Sequence, residues 1–410
     1  MRFYQYTERD VLTHKNLITN VKAIINRAKC KEANGSFLSW MPLTHDMGLI
    51  ALHLVPVVGD FDNYLMPPGL FVRNPVLWLK KITQYKPKYT SSPNFGFKHV
   101  MKFFRPEENP DTDLSSLVVI FNGAEPISAE VCNRFNEMMK PFGLKESAIY
   151  ASYGLAEASV GVTLPEPNRK FVEVYIDRES IGVGSSIREK GKNEPNTVCF
   201  VEVGSCIDSC FVRMVDQNGV EMRDRVIGRI QIRGGNVTSG YYNDIEATKR
   251  AIGEDGWLDT GDLGFLRDGN LVITGRAKDI IFVNGNTYYA HDIEFVCEEL
   301  EDFKSGKVAA CGVYNPQLQM EEIICFVQFR ASLEEFVPLA NALTVHVIKR
   351  IGVGVSHVIP IRQIPVTTSG KTQRYKLKEA YLKNEFTSVI GQLSLLNKKI
   401  TVAGDKKVGP

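Results

Sequence analysis

Three stretches of the chain carry side chains suited to holding anions, paired hydroxyls and a hard cation. Tyr153-Gly154-Leu155-Ala156-Glu157-Ala158-Ser159 sets an aromatic ring, a glycine and a carboxylate together at the end of an expected strand, and a carboxylate such as Glu157 suits a cation that prefers oxygen ligands. In Gly256-Trp257-Leu258-Asp259-Thr260-Gly261-Asp262-Leu263-Gly264, the two oxygens of Asp262 can accept from two neighbouring hydroxyls. Thr367-Thr368-Ser369-Gly370-Lys371-Thr372-Gln373-Arg374 puts Lys371 on a Ser-Gly turn, where glycine lets backbone come close and the ammonium can reach anionic oxygens. Singly, each stretch is equally a loop with a satisfied charge. Their joint order along one chain is harder to dismiss.

Elements that would position these residues can be read around them. Up to about Thr274 the pattern is α/β. Asn74-Pro75 opens a helix with Val76, Leu79 and Ile82 on one face, ended before Pro87. Leu117–Phe121 reads as a buried strand, followed by the Asn122-Gly123 turn and a helix carrying Ile127, Val131, Phe135 and Met138, closed by Gly143. From Cys199 the period shortens, and Asn218-Gly219 and Asp268-Gly269 sit between alternating segments as hairpin turns. After Gly275-Arg276 a smaller α+β unit follows, with strands at Asp279–Val283, Lys307–Tyr314 and Ile323–Phe329 and a helix bearing Ile293, Val296, Leu300 and Phe303. The expected division is a large domain over 1–275, a small domain over 276–396, and a Lys- and Gly-rich tail or linker over 397–410.

Composition agrees with a multidomain globular protein. The chain has 410 residues, more than one ordinary core of ~150 residues. Lys+Arg number 49 against 47 Asp+Glu, a formal charge of +2, so nothing marks a nucleic-acid binder. The longest uncharged apolar run, Met47–Val58, contains His53 and Pro56 and falls short of the ~20 residues of a membrane span. The N-terminus puts charges where a signal peptide needs an apolar core. Eight scattered cysteines fit a reducing cytoplasm, and the Cys199, Cys206, Cys210 group has neither a C-x-x-C pair nor a nearby histidine to suggest zinc.

The three stretches, together with Ser39-Trp40-Met41-Pro42-Leu43-Thr44-His45-Asp46-Met47-Gly48, Asn122-Gly123-Ala124-Glu125-Pro126, Gly240-Tyr241-Tyr242-Asn243 and Gly275-Arg276-Ala277-Lys278-Asp279, resemble the adenylate-forming superfamily of acyl-CoA synthetases, nonribosomal peptide adenylation domains and luciferases. The resemblance runs from about Gln5 to about Lys378. It implies an α/β fold with a large adenylation domain, N-terminally truncated here, and a small α+β domain. Within the superfamily the chain is most similar to fatty acyl-AMP ligases of polyketide and peptide synthases. Trp40–Gly48, Ser92-Pro93-Asn94-Phe95 and the long stretch Pro165–Gly204 carry that similarity, and such ligases have an insertion near this stretch that hinders the CoA-type reaction. A variable surface loop is the plain reading of the same stretch, so a fatty acyl-CoA ligase is the alternative activity. An alternative of another class is a catalytically silent acyl- or nucleotide-binding module.

The resemblance implies ATP and Mg²⁺ as cofactors, a fatty acid as substrate and an acyl carrier protein domain as acceptor. Lys371 would bridge carboxylate and phosphate, with His45 beside the acyl carboxylate. Glu157 would hold Mg²⁺. Asp262 and Arg276 would hold ribose or phosphate, Tyr153 with Gly154 would face adenine, and Gly123, Ala124 and Glu125 would wall the site. Met47, Gly48 and Phe95 would line an acyl tunnel, or equally serve as ordinary core. Lys278 stands at the family's hinge position, which needs only backbone torsions that can change.

One departure stands out. A Ser/Thr/Gly-rich phosphate loop is expected between Tyr6-Thr7 and Val11, yet only Glu8-Arg9-Asp10 intervenes, without glycines to aim backbone N–H groups at phosphate. Either residues belong there that the sequence omits, or the chain is degenerate at this point. With every downstream motif in place, omission is the expectation.

Overall fold

The computed structural model describes residues 9–283, 286–303, 306–367 and 372–405. The chain divides into two compact units. The first comprises residues up to Ile176, Val183–Lys192 and Cys199–Thr274, and the second Asp177–Gly182, Asn193–Val198 and Gly275 onward. Two short pieces of the Pro165–Gly204 stretch therefore belong to the second unit, a feature without a sequence signal.

The first unit is built on a five-stranded parallel sheet of β1 (Ser36–Ser39), β2 (Asp62–Leu65), β3 (Tyr89–Ser91), β4 (Val119–Asn122) and β5 (Ile149–Ala151), in the order β2-β1-β3-β4-β5. Parallel strands need crossovers, and helices supply them. Helix α1 (His14–Arg27) starts with a capping box between Thr13 and Asn16. Helix α2 (Val76–Tyr85) follows Pro75 and ends where Lys86 turns left-handed, and it buries Trp78, Leu79 and Ile82 completely. Each such side chain contributes about 1.5–3 kcal/mol. Helix α3 (Asn94–Phe103) follows β3. Helix α4 (Ala129–Met139) follows β4 and is capped by Ser128, whose hydroxyl accepts from the Val131 N–H.

An antiparallel sheet completes the unit, with β6 (Cys210–Val215), β7 (Gly228–Gly234), β8 (Leu258–Arg267) and β9 (Asn270–Arg276) in sequential order. Both expected turns are there. Asp268 and Gly269, between β8 and β9, take φ of 53° and 80°, the paired positive values that a two-residue hairpin turn requires.

In the second unit, β10 (Ile280–Val283) pairs antiparallel with β11 (Asn286–Tyr289), and helix α5 (Ala290–Glu298) follows. Strands β12 (Val308–Asn315), β13 (Met320–Gln328) and β14 (His357–Ile361) form a mixed sheet, with helix α6 (Leu333–Ile351) between the last two. Helices α7 (Arg374–Leu382) and α8 (Thr387–Asp405) are the last described elements. Helix α8 runs into the stretch read as a tail or linker from Asn397, as far as Asp405. The apolar spacing of Val389, Ile390 and Leu393, which pack on the unit's core, begins upstream of Asn397 and carries the helix onward.

Candidate functional site

In open parallel sheets ligands bind beyond the carboxyl ends of the strands, and most of the expected residues of the first unit lie there. His45 and Met47 follow β1, Phe95 follows β3, Gly123 to Glu125 follow β4, and Tyr153 and Gly154 follow β5.

Beyond β5, the backbone of Tyr153 exchanges hydrogen bonds with Thr163 at 3.2 Å in both directions, which fixes the ring's origin. Its hydroxyl then donates to Oδ2 of Asp262 at 2.7 Å, although 109 residues separate the two. Asp262 is buried and follows a tight turn in which the Gly261 N–H donates to Asp259 and the Asp262 N–H donates to Thr260. Gly154 could be no other residue, because a Cβ there would sit 1.6 Å from the Val160 carbonyl oxygen. Gly123 is also close-packed, with a Cβ position 2.8 Å from the Ser152 carbonyl oxygen, and Ala124 holds a left-handed φ of 69°. Non-glycine residues in that region store strain and gather at functional sites.

The half-buried carboxylate of Glu157 accepts from the Tyr241 hydroxyl at 3.0 Å, and its backbone carbonyl accepts from the Thr238 N–H at 2.7 Å. Asp10 forms a β-bridge with Tyr241, and the Tyr242 N–H donates to the Arg9 carbonyl at 2.7 Å. The described end of the segment where a phosphate loop was expected therefore runs beside the Tyr241 backbone; Thr7 and Glu8 lie outside the described residues. Tyr241 was visible as part of a motif but had no role assigned; only the fold brings it to Glu157.

Glu125 caps helix α3, its Oε1 accepting from the Phe95 N–H at 3.0 Å. Phe95 is exposed and meets the Trp40 ring edge-on at 5.6 Å between centroids. Met47–Leu54 forms a π-helix, a geometry found often at functional sites. Met47 and Gly48 are buried in it, and a Cβ on Gly48 would lie 2.2 Å from the Pro42 carbonyl oxygen. Asp46 Oδ1 accepts from the Met47 N–H at 2.7 Å and lies 2.5 Å from His45 Nδ1.

The remaining expected residues belong to the second unit or lie outside the described residues. Arg276 ends β9 and Lys278 lies in the short turn Ala277–Asp279, both exposed and both in the second unit. Lys371 lies outside the described residues. Among the described residues, no three His, Cys, Asp or Glu side chains gather as a metal cage, and no helix is long and apolar enough to cross a membrane.

Residues 11–242 match the family described as AMP-binding enzyme. The 4-hydroxyphenylalkanoate adenylyltransferase of Mycobacterium tuberculosis is 32% identical over 92% of this chain, which spans 63% of that relative's length. Among solved structures, one from work on fatty acyl-adenylate ligases of E. coli and L. pneumophila superposes with a TM-score of 0.85 at 31% identity, covering 92% of this chain and 68% of its own. The adenylation and carrier portion of McyG bound to phenylalanyl-adenylate gives 0.78 at 30% identity, over 94% of this chain and 66% of its own.

Proposed function

Because the chain belongs to the family of AMP-binding enzymes, we propose that it activates a fatty acid with ATP to an acyl-AMP and then passes the acyl group to the phosphopantetheine thiol of a carrier protein. The observation that carries this reading is the Tyr153–Asp262 hydrogen bond at the carboxyl edge of the sheet. It holds a buried carboxylate ready for two ribose hydroxyls and a tyrosine ring ready for a base. The likeness to fatty acyl-adenylate ligases supports the acid, and the likeness to an adenylation and carrier assembly supports the acceptor.

In the first step a carboxylate oxygen attacks the α-phosphorus, and the bond to the β-phosphate bridging oxygen breaks, releasing pyrophosphate. In the second the thiol attacks the acyl carbonyl, loses its proton, and AMP leaves. One anion attacks another in the first step, so cations must offset charge as it develops. Lys371 is assigned that role, with His45, steadied by Asp46, beside the acyl carboxylate. Gly123, Ala124 and Glu125 wall the base and the carboxylate end, while Met47, Gly48 and Phe95 border the acyl chain. Arg276 donates to ribose or phosphate, and Lys278 is the hinge on which the small domain changes pose.

Mg²⁺ usually binds proteins through one or two carboxylates plus substrate phosphates. The single, oriented carboxylate of Glu157 fits that donor set. The ion would neutralise phosphate charge there. The Pro165–Gly204 stretch, with pieces in both units, would limit rotation into the pose that serves free CoA.

The test is fatty-acid-dependent exchange of pyrophosphate into ATP by the wild type and by Lys371→Ala. Exchange should need the acid and fall by roughly 10²–10³-fold in the variant; wild-type exchange that ignores the acid, or a variant as active as the wild type, overturns the assignment.

A further inference from the structure

The turn that follows Glu157 is strained. Ser159 holds φ of 66° and ψ of −65°, and the Val160 N–H donates to the Ala158 carbonyl at 2.9 Å, the geometry of a rare three-residue turn. The Cβ of a serine resists these torsions, so the surroundings must impose them. The side chains of Asn20, Ser159 and Asn236 close on this turn, and all three residues are completely buried.

Asn236 bridges the turn. Its Nδ2 donates to the Ala158 carbonyl at 3.2 Å and to the Gly161 carbonyl at 3.1 Å, on either side of Ser159 and Val160. Its own backbone carbonyl accepts from the Ser159 hydroxyl at 2.9 Å. Asn20, on α1, meets the backbone of Gly161 as a second peptide group would: Nδ2 donates to the carbonyl at 2.7 Å and Oδ1 accepts from the N–H at 3.1 Å. One helical turn earlier, Asn16 Nδ2 donates to the carbonyls of Gly235 and Val237 at 2.9 Å each, so α1 grips the chain on both sides of Asn236. An amide suits these places because one nitrogen carries two donors, which a carboxylate lacks.

These bonds join the two segments that reach Glu157. The first, 156–161, carries the carboxylate itself. The second, 235–241, supplies the Thr238 N–H to the Glu157 backbone carbonyl and the Tyr241 hydroxyl to its Oε1. A buried polar network specifies one arrangement only while all its members are satisfied. Resting on the function proposed above, we infer that Asn236, backed by Asn20, is a positioning residue: it locks the strained turn to the 235–241 segment and so fixes the direction of the Glu157 carboxylate that serves the metal–nucleotide. It touches no substrate, and every partner named lies in the first unit.

The experiment measures binding of Mn²⁺, a paramagnetic substitute for Mg²⁺, to the protein with α,β-methylene-ATP, by electron paramagnetic resonance. The wild type is compared with Asn236→Ala, Glu157→Gln, their double variant, and the milder Ser159→Ala, which removes only the hydroxyl bond. Metal-free nucleotide affinity and amide hydrogen exchange across residues 156–161 are measured alongside. Asn236→Ala should weaken Mn²⁺ binding about tenfold, the scale for groups that orient metal ligands, and change metal-free nucleotide affinity less than about threefold. Added to Glu157→Gln it should weaken Mn²⁺ binding no further, because it acts through that carboxylate. Ser159→Ala should fall between Asn236→Ala and the wild type, and amide exchange at 156–161 should rise in both.

Losses that add in the double variant would overturn the positioning role. So would unchanged Mn²⁺ binding by Asn236→Ala, or an equal loss of metal-free nucleotide affinity. If Asn236→Ala fails to fold, the same cycle built on Ser159→Ala decides. Acid-dependent pyrophosphate exchange judges the proposed function separately. Its absence beside a non-additive Mn²⁺ cycle would overturn the activity and leave the positioning role standing, whereas its presence beside an additive cycle would overturn the positioning role alone.

Discussion

The Tyr241 hydroxyl stands 3.0 Å from Oε1 of Glu157, 84 residues away in sequence. Glu157 lies in a single short turn, Ala156–Ala158, and Tyr241 steers its carboxylate from outside that turn. Tyr241→Phe should therefore raise the Mg²⁺ concentration needed for half-maximal adenylate formation by roughly tenfold, the scale of one hydrogen bond to a charged group. Glu157→Gln should cost more, ~100-fold in rate at fixed Mg²⁺. A Mg²⁺ titration of both variants checks this; identical titrations for Tyr241→Phe and the wild type would separate Tyr241 from the metal.

Asp262 is expected to read the ribose. Asp262→Asn trades one acceptor oxygen for a donor and should raise the KM for ATP by about 10–100-fold. Substrate editing gives the sharper check. The wild type should discriminate against 2′-deoxy-ATP, and the variant should lose most of that discrimination. Unaltered discrimination would place the ribose elsewhere.

Much of the fold around the candidate site is legible in the sequence. The buried run ending in Asn122-Gly123 announced a strand and turn because a parallel strand is apolar on both faces, and Asp268-Gly269 announced a hairpin because few other residues tolerate two positive φ values. Pairings between distant segments were not legible. Tyr241 with Glu157, Tyr153 with Asp262 and Asn20 with Gly161 depend on register between elements that no local pattern encodes. The π-helix at Met47–Leu54 was hidden for another reason: apolar on nearly every side, its sequence shows no periodicity from which to infer a winding. Helix α8 had no helix expectation, and its stretch beyond Asn397, rich in Lys and Gly, carries no apolar periodicity from which to infer one.

The second unit contains a buried ion pair whose cost can be measured. Arg178 and Asp292 side chains are 9% and 10% exposed, and two N–H groups of Arg178 donate to the two oxygens of Asp292, one at 3.1 Å. Removing one partner strands a buried charge, so Arg178→Ala should destabilise the unit by about 3–5 kcal/mol. Replacing both with leucine should recover most of that loss. Denaturant unfolding of the two variants gives the comparison, and a single variant as stable as the wild type would show that water reaches the stranded carboxylate.

Acid should loosen the same unit through His291. Burial pushes its imidazole down to about 4 from 6.5, with Arg374 acting in the same direction and Asp292 and Asp279 opposing. The folded state thus binds this proton less readily than the unfolded chain. Its contribution to stability is complete above about pH 6.5 and is lost progressively as the pH falls toward about 4. His291→Phe should flatten the fall in unfolding midpoint across that window relative to the wild type; parallel curves would assign the acid sensitivity to other groups.

The most direct measurement is the identity of the product and of its acceptor. The chain is incubated with MgATP and a fatty acid, acyl-AMP is quantified by mass spectrometry, and the mixture is then divided between a phosphopantetheine-bearing carrier protein and free CoA. Acyl-AMP should accumulate, the carrier should become acylated, and acyl-CoA should stay at least tenfold lower. Acyl-CoA formed as fast as acyl-carrier would contradict the acceptor assigned here, and the absence of any acyl-AMP would contradict the activity itself.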